Sequence, residues 1–514
     1  MRAIAFAAAC CWWLISCGSA SNTDSSLSQT RSSERSTERS SFTRIRSIPE
    51  VSSYVHLFEW TWKDVARECE SVLGPAGIDA VQISPPQEHR LMPNSPWFQR
   101  YQPVSYKLES RSGSRAEFEN MVRRCNAAGV VVISDAVINH MAQTLPYNQS
   151  EAGSAGSQYQ RYSYPGLFSF ADFHHCGRHS DNVIRNYQDR WEVQNCELLG
   201  LADLNTGSES VRRTIADFLN EQIRIGVRGF RIDAAKHMAS GDIGAIVSKL
   251  NKPSFIFQEV IDQGGEPISS REYIENGSVT EFRVGLTLGN LFRRGNLSAL
   301  ASMGEGWGFL PPEKAVVFTD NHDNQRGHGG GGLVLTYRDG ALHTLANMFL
   351  LAFNYGTVAL MSGYQFQYDY EGPPVNSSGE TLAVWAEDGT TRCGKSGWLC
   401  EHRESDVLAL VKFRNEVGAA GLSDWWNSQQ GGQIAFSREA KGWFALNIEP
   451  KPVSIRVPTS MADGTYCDMV SARRRTSPSM FGCKGQMIEV RDGFVETTLP
   501  AMSGLAITES TRKN

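Results

Sequence analysis

The chain has 514 residues, 41% hydrophobic and 20% charged, with a formal net charge of -5 and a sequence pI of about 6.2. That length and apolar content suffice for a large core and more than one domain. The near-neutral balance leaves no electrostatic footprint for a nucleic-acid partner, and the N-terminal apolar run is too short to span a bilayer.

That run follows Arg2 over residues 3–15 and has the length of a signal-peptide core. It ends in Leu14, Ile15, Ser16 and Cys17, which resembles a bacterial lipobox and makes Cys17 the candidate lipidated first residue of the mature chain. Ordinary cleavage after Ala20 is the alternative. The expected organisation therefore begins with a signal peptide over 1–17 and a disordered tether over 18–48. The tether is about half Ser and Thr, lacks the apolar residues a core needs, and would reach roughly 30 Å. Beyond the leader cysteines Cys10, Cys11 and Cys17 stand eight more: Cys69, Cys125, Cys176, Cys196, Cys393, Cys400, Cys467 and Cys483. An even number in an exported chain predicts four disulfides, and spacing leaves their pairing open.

From residue 51 short apolar strands alternate with amphipathic helical stretches. The first three strands are expected at 54–58, 80–83 and 130–136, within a first catalytic segment over 49–138. Between 139 and 205 the alternation lapses into a Tyr-, Gly- and Ser-rich stretch, too long for a loop and read as an inserted subdomain. The alternation resumes over 206–418, with strands starting at Gly229, Phe255, Ser278, Val316 and Val358. From 419 to 514, short strands with turn signals indicate a separate β domain.

The fourth strand, Gly229-Phe230-Arg231-Ile232-Asp233, puts Arg231 and Asp233 on one face and Phe230 and Ile232 on the other. Burying a carboxylate costs several kcal/mol unless it is paired. A buried Arg-Asp pair that only fixes packing explains that stretch alone equally well. The pattern recurs, however, in Phe257-Gln258-Glu259 and in Phe318-Thr319-Asp320-Asn321-His322-Asp323. Acids ending successive strands, with helix-length spacers, match a parallel barrel whose chemistry sits at the strand C-termini.

Asp135-Ala136-Val137-Ile138-Asn139-His140, the stretch from Gly229 through Lys236 and His237, Gln258-Glu259-Val260 and the run ending in Asp323 resemble the four signature regions of the α-amylase family of glycoside hydrolases. The resemblance runs from about residue 50 to 510. It is nearest to the animal-type α-amylases and their bacterial relatives, with 97–108, 321–332 and Glu401, His402 and Arg403 also matching. It implies an α/β fold: a (β/α)8 TIM barrel with a calcium-binding subdomain inserted after the third strand and a C-terminal antiparallel β-sandwich. It further implies endo-acting, retaining hydrolysis of α-1,4-glucosidic bonds in starch, glycogen and maltooligosaccharides through a covalent glycosyl-enzyme.

Residue by residue, the family pattern assigns the nucleophile to Asp233, the acid/base to Glu259 and the third acid to Asp323, with Arg231 holding Asp233 ionised. Substrate contacts fall on Trp97, Phe98, Tyr101, Gln102, His140, Lys236, His237, His322 and His328. The family more often has Trp where Phe98 stands. Calcium would be held by the side chains of Asn139 and Asp203 and the backbone carbonyls of Gln194 and His237, where the family usually has Arg in place of Gln194. The chloride that animal-type members often bind would meet Arg231 and Asn321, but alignment puts Ala341 at the remaining basic position, so a vacant or weak site is expected, with Arg338 nearby as a substitute. An α-glucan is the expected partner of a monomer, exported and lipid-anchored at a bacterial envelope or simply secreted. Two other classes stay open: a transglycosylase or isomerase on the same fold, and a non-catalytic relative. Intact Asp233, Glu259 and Asp323 disfavour the latter.

Overall fold

Eight strands form the centre of the structure, a computed structural model that describes residues 50–252, 254–474 and 483–513. Cys17 and the tether expected over 18–48 lie outside the described residues. The strands are β1 (Ser53–Leu57), β2 (Ala80–Ile83), β3 (Val131–Ala136), β4 (Gly229–Ile232), β5 (Phe255–Gln258), β6 (Ser278–Thr280), β7 (Ala315–Val317) and β8 (Thr357–Ser362). Each pairs in parallel with its neighbours in chain order, and β8 returns to β1 with Ser53 opposite Val358, so the barrel is closed. Every strand expected from the alternation is present. Closure removes the free edges that an open sheet would expose.

Side chains alternate about the barrel wall. Tyr54, Ala80, Ile133, Phe257, Val316 and Phe318 pack together inside. Val55, Val81, Val132, Phe230, Ile232, Val317 and Val358 point out against the surrounding helices. Each large side chain fully buried in this way contributes roughly 1.5–3 kcal/mol. The C-terminal ends of the strands carry the acids. Asp233 and Glu259 come immediately after β4 and β5, and residues 320–323 lie shortly past β7.

Between β3 and the helix Glu209–Ile225 the chain builds two antiparallel ribbons, His140–Gln143 with Leu201–Asp203 and Ser150–Ala152 with Gln158–Gln160, plus the short helix Arg190–Asn195. The disulfide Cys176–Cys196 braces this region. The remaining bridges are Cys69–Cys125, Cys393–Cys400 and Cys467–Cys483, which gives all eight cysteines the partners that spacing leaves open.

After the helix Ser405–Val417 the chain forms two antiparallel sheets. Trp443, Ala445, Leu505 and Ile507 of the first face Ile455, Val457, Ile488 and Val495 of the second. Phe436, Phe444 and Leu446, on the opposite face of the first sheet, join Phe349, Phe353 and Phe413 in the barrel's outer core. A sheet covered on both faces reads as continuous burial, as Gln433–Arg438 and Gly442–Asn447 do. Arg438 seals this junction. Its guanidinium donates to the carbonyls of Ala420 at 2.8 Å, Ala352 at 2.9 Å and Gly418 at 2.8 Å, and the residue is 2% exposed. Arg438→Met keeps the apolar stem but strands the two buried acceptors on Ala420 and Ala352, so we expect a loss of about 2–4 kcal/mol in guanidinium-induced unfolding. A change below about 0.5 kcal/mol would show that water replaces the guanidinium without cost.

Candidate active site

Arg231 sits on the inner face of β4, opposite Asp135 in the β3–β4 register. One guanidinium nitrogen, Nη1, donates to Asp135 Oδ1 and to Asp233 Oδ1, both at 2.7 Å. The other, Nη2, forms an ion pair with Glu259 Oε1 at 2.6 Å, at an angle outside hydrogen-bond geometry. All four side chains are at least nine-tenths buried. Tyr101 adds a hydrogen bond from its hydroxyl to Asp135 Oδ2 at 2.9 Å. One cation thus serves three carboxylates. The charge balance makes the outcome clear: burial pushes Asp135 up to about 7 and raises Asp233 and Glu259, while Arg231 opposes the rise in each.

Asp135 lies in a recognised motif, yet the sequence assigns it no role. Its signal, one inward acid on the strand preceding an inward Arg, becomes legible only once β3 and β4 are known to be neighbours.

Ala234 follows Asp233 with φ of 48°, a left-handed backbone that costs a non-glycine residue of order 1–3 kcal/mol. The turn aims its N–H at Glu259 Oε2, 2.9 Å away. Strain here therefore supplies a fixed donor to a buried carboxylate. Asp323, beyond β7, lies 3.3 Å from His322 Nε2, and burial followed by the Glu259 charge raises its carboxyl well above the ordinary range.

These acids open into a cleft of about 570 Å³. Asp233, Glu259 and Asp323 line it together with Trp97, Phe98, Tyr101, Gln102, His140, Lys236, His237, His322 and His328, so nearly every residue expected at the site is brought to one surface. Arg231 is the exception and lies one layer deeper. Trp97 is held by its indole N–H, which donates to Asp369 O at 2.7 Å. His322 stacks on Tyr101 and Phe58, with ring centroids 5.2 and 4.9 Å apart. Burial, reinforced by the Arg231 charge, keeps His322 neutral well below its usual range. His140 Nε2 donates to Tyr101 O at 2.9 Å, and His237 Nδ1 to Val193 O at 3.0 Å. The sequence reading missed Tyr187, Leu198, Leu199, Leu201, Asp369 and Tyr370 on the cleft walls. Apart from Leu201 on its three-residue strand, they come from irregular or single-turn segments, where no period marks the direction of a side chain.

The expected calcium donors fall in two neighbouring pairs in the chain's fold, Asn139 with Asp203 and Gln194 with the residues at His237. Leu204 N–H donates to Asn139 O at 2.9 Å, and His140 pairs with Asp203 across the ribbon, which brings Asn139 beside Asp203. Gln194 lies in the helix Arg190–Asn195, and its side-chain amide donates to Met238 O, one residue past His237, at 3.3 Å. Among the described residues no group of three or more His, Cys, Asp and Glu could hold a metal. A set of one carboxylate, one amide and two backbone carbonyls is not of that kind, and its all-oxygen chemistry suits a hard cation. Burial pushes Asp203 up to about 6, with His174 Nδ1 at 2.7 Å and the Asn139 side chain opposing the rise.

Chloride fares differently. Arg231, Asn321 and His322 line an internal cavity of about 30 Å³, but Ala341 does not. Ala341 is the exposed first residue of the helix Ala341–Ala352, and Arg338 donates to Phe366 O at 2.6 Å. Ala341 thus brings no side chain to this cavity, and β8 lines it with Ala359, Leu360 and Met361. Arg231 is the one Lys or Arg in that lining, and it is already committed to three acids.

Residues 73–263 match the family described as alpha amylase, catalytic domain, and residues 425–509 match alpha amylase, C-terminal all-beta domain. The chain is 44% identical over 461 residues to an alpha-amylase of Pecten maximus, covering 86% of this chain and 88% of that one. It is 44% identical over 477 residues to alpha-amylase 1B of Homo sapiens, covering 86% and 90%. Among solved structures, wild-type alpha-amylase I from Eisenia fetida superposes with a TM-score of 0.82 at 39% identity, covering 90% of this chain and 98% of that one. A mutant of the same earthworm enzyme in complex with maltohexaose matches with the same score at 38% identity and the same coverage.

Proposed function

This chain belongs to the alpha-amylase family and hydrolyses α-1,4-glucosidic bonds of starch, and we propose that it does so by endo-acting double displacement at Asp233 and Glu259. Asp233 attacks the anomeric carbon while Glu259 gives its proton to the leaving glycosidic oxygen. The glycosyl ester on Asp233 is then opened by water, whose proton Glu259 takes back. The observation that carries this reading is Arg231, which contacts both carboxylates at the floor of the cleft. Its charge opposes the rise that burial gives Asp233 and so favours the anion that attacks. Burial raises Glu259, which favours the protonated form a general acid needs, and the Ala234 N–H and Arg231 stabilise the carboxylate left once that proton has gone.

Asp323 grips sugar hydroxyls and favours the positively charged transition state. Trp97, Phe98 and Tyr101 supply apolar ring surface for glucose faces, and the neutral imidazole of His322 serves a hydroxyl. The maltohexaose bound by the earthworm enzyme supports a cleft for several sugar units. Asn139, Asp203 and the carbonyls of Gln194 and His237 would hold a calcium ion, which would supply a structural tie between the insert and the barrel. The four disulfides and the secreted-type relatives point to an extracellular protein. Anchoring through Cys17 rests on the lipobox resemblance alone, and partition of the full chain with membranes, lost in Cys17→Ser, checks it.

Glu259→Gln should lower kcat on soluble starch by about 10²–10⁴-fold with the fold intact, because an amide matches the acid in size but delivers no proton. Wild-type products should appear as the α-anomer by NMR, and rates should not depend on chloride. Fresh β-anomer, or a Gln variant within tenfold of wild type, would refute the assignment. Exhaustive chelation should lower the melting temperature and raise hydrogen exchange first in residues 139–205, since an ion that binds only the native state stabilises it by mass action. An unchanged melting curve in a sample free of calcium by elemental analysis would remove the ion from its proposed place.

A further inference from the structure

The helix Phe282–Arg294 lies beneath the glycine-rich segment that comes after Asp323. Phe282, Gly285, Leu286, Gly289 and Arg293 recur at spacings of three and four and so share one face. That face touches the chain on both sides of the segment. A Cβ on Gly285 would stand 2.8 Å from Thr319 O, just ahead of the acid-bearing turn. One on Gly289 would collide with Leu333 O, closer than any side chain permits. Four residues on, Arg293 donates to the carbonyls of Leu333 and, at 2.9 Å, Val334, and pairs with Asp339 at 2.8 Å.

The segment so anchored carries no buried apolar side chain of its own. Gly327, Gly329, Gly330 and Gly332 all have positive φ and Leu333 is 61% exposed, and the chain re-enters the core only at Val334 and Leu335. At its other end the segment presses on the site. His328 N–H donates to Asp323 O at 3.1 Å, and a Cβ on Gly329 would fall 2.7 Å from Asp323 Cβ. Asp323 is thus held by its own turn, through Asn321 Oδ1 and Arg326 N–H, and also touched by a strap whose far end is tied to the helix.

We propose that Arg293 and Gly289 are positioning residues for the hydrolysis: they fix the exit of the 327–332 strap, and the strap holds the Asp323 carboxylate at its working place. The inference rests on the reading of Asp323 as a transition-state group. Neither residue lines the cleft.

The test uses the full chain and maltoheptaose. Arg293→Met should lower kcat about ten- to a hundredfold, in keeping with the cost of a small misplacement of a reacting group, with a melting temperature within a few degrees of wild type. Arg293→Lys, which keeps one donor, should recover part of that loss, and hydrogen exchange over 327–333 should rise in the Met variant. In an Asp323→Asn background the same Arg293→Met change should alter kcat by less than about twofold, because both substitutions remove one function. Gly289→Ala should reproduce the Arg293→Met loss if it folds. Wild-type kcat in Arg293→Met, or losses that multiply in the double variant, would overturn the proposal alone. Wild-type kcat in Asp323→Asn would overturn the role of Asp323, and the proposal with it.

Discussion

The ion cluster around Arg231 governs the whole site. A guanidinium enclosed by Asp135, Asp233 and Glu259 places one cation and three carboxyl groups where water does not compensate their charge. Removing one partner from such a buried pair costs about 3–5 kcal/mol, so the geometry is self-enforcing. The barrel meets that demand through register: Asp135 and Arg231 are opposite one another on β3 and β4, and Glu259 comes directly after Gln258, which lies opposite Ile232 on β5. Three adjacent parallel strands thus converge their ends on a single cation. Tyr101 closes the cluster from outside, and its ring in turn supports His322.

The cleft above this cluster is made by segments that the barrel does not determine. One wall comes from the insert, with Leu198, Leu199 and Tyr187, another from the turn at 97–101, and a third from the segments carrying His328 and Asp369. Leu199 adopts a left-handed φ of 55° while remaining 72% exposed, so the insert accepts both strain and an exposed apolar side chain at the cleft mouth. The walls are fastened in different ways. The insert has the Cys176–Cys196 bridge, Trp97 ties the second wall to the third through its bond to Asp369 O, and the strap has the helix beneath it. A charged floor and fastened walls suit a polymer substrate, which must thread a groove while one bond is held over the acids.

The class of fold and the three acids were legible in the amino-acid sequence. Period-two alternation marks the strands of any barrel, and Asp233, Glu259 and Asp323 stand in motifs whose residue order survives without coordinates. Other features needed the folded chain. Pairing of the eight cysteines, the place of Asp135 beside Arg231 and the choice of Ala359 rather than Ala341 in the cavity below it all depend on which strands are neighbours and which way each side chain points. Likewise Gly285 and Gly289 are unremarked in a helical run until the chain they touch, more than thirty residues on, is in place. Local periodicity records the direction of a side chain relative to its own element. Long-range contacts record what it meets, and that information exists only once the chain has closed on itself.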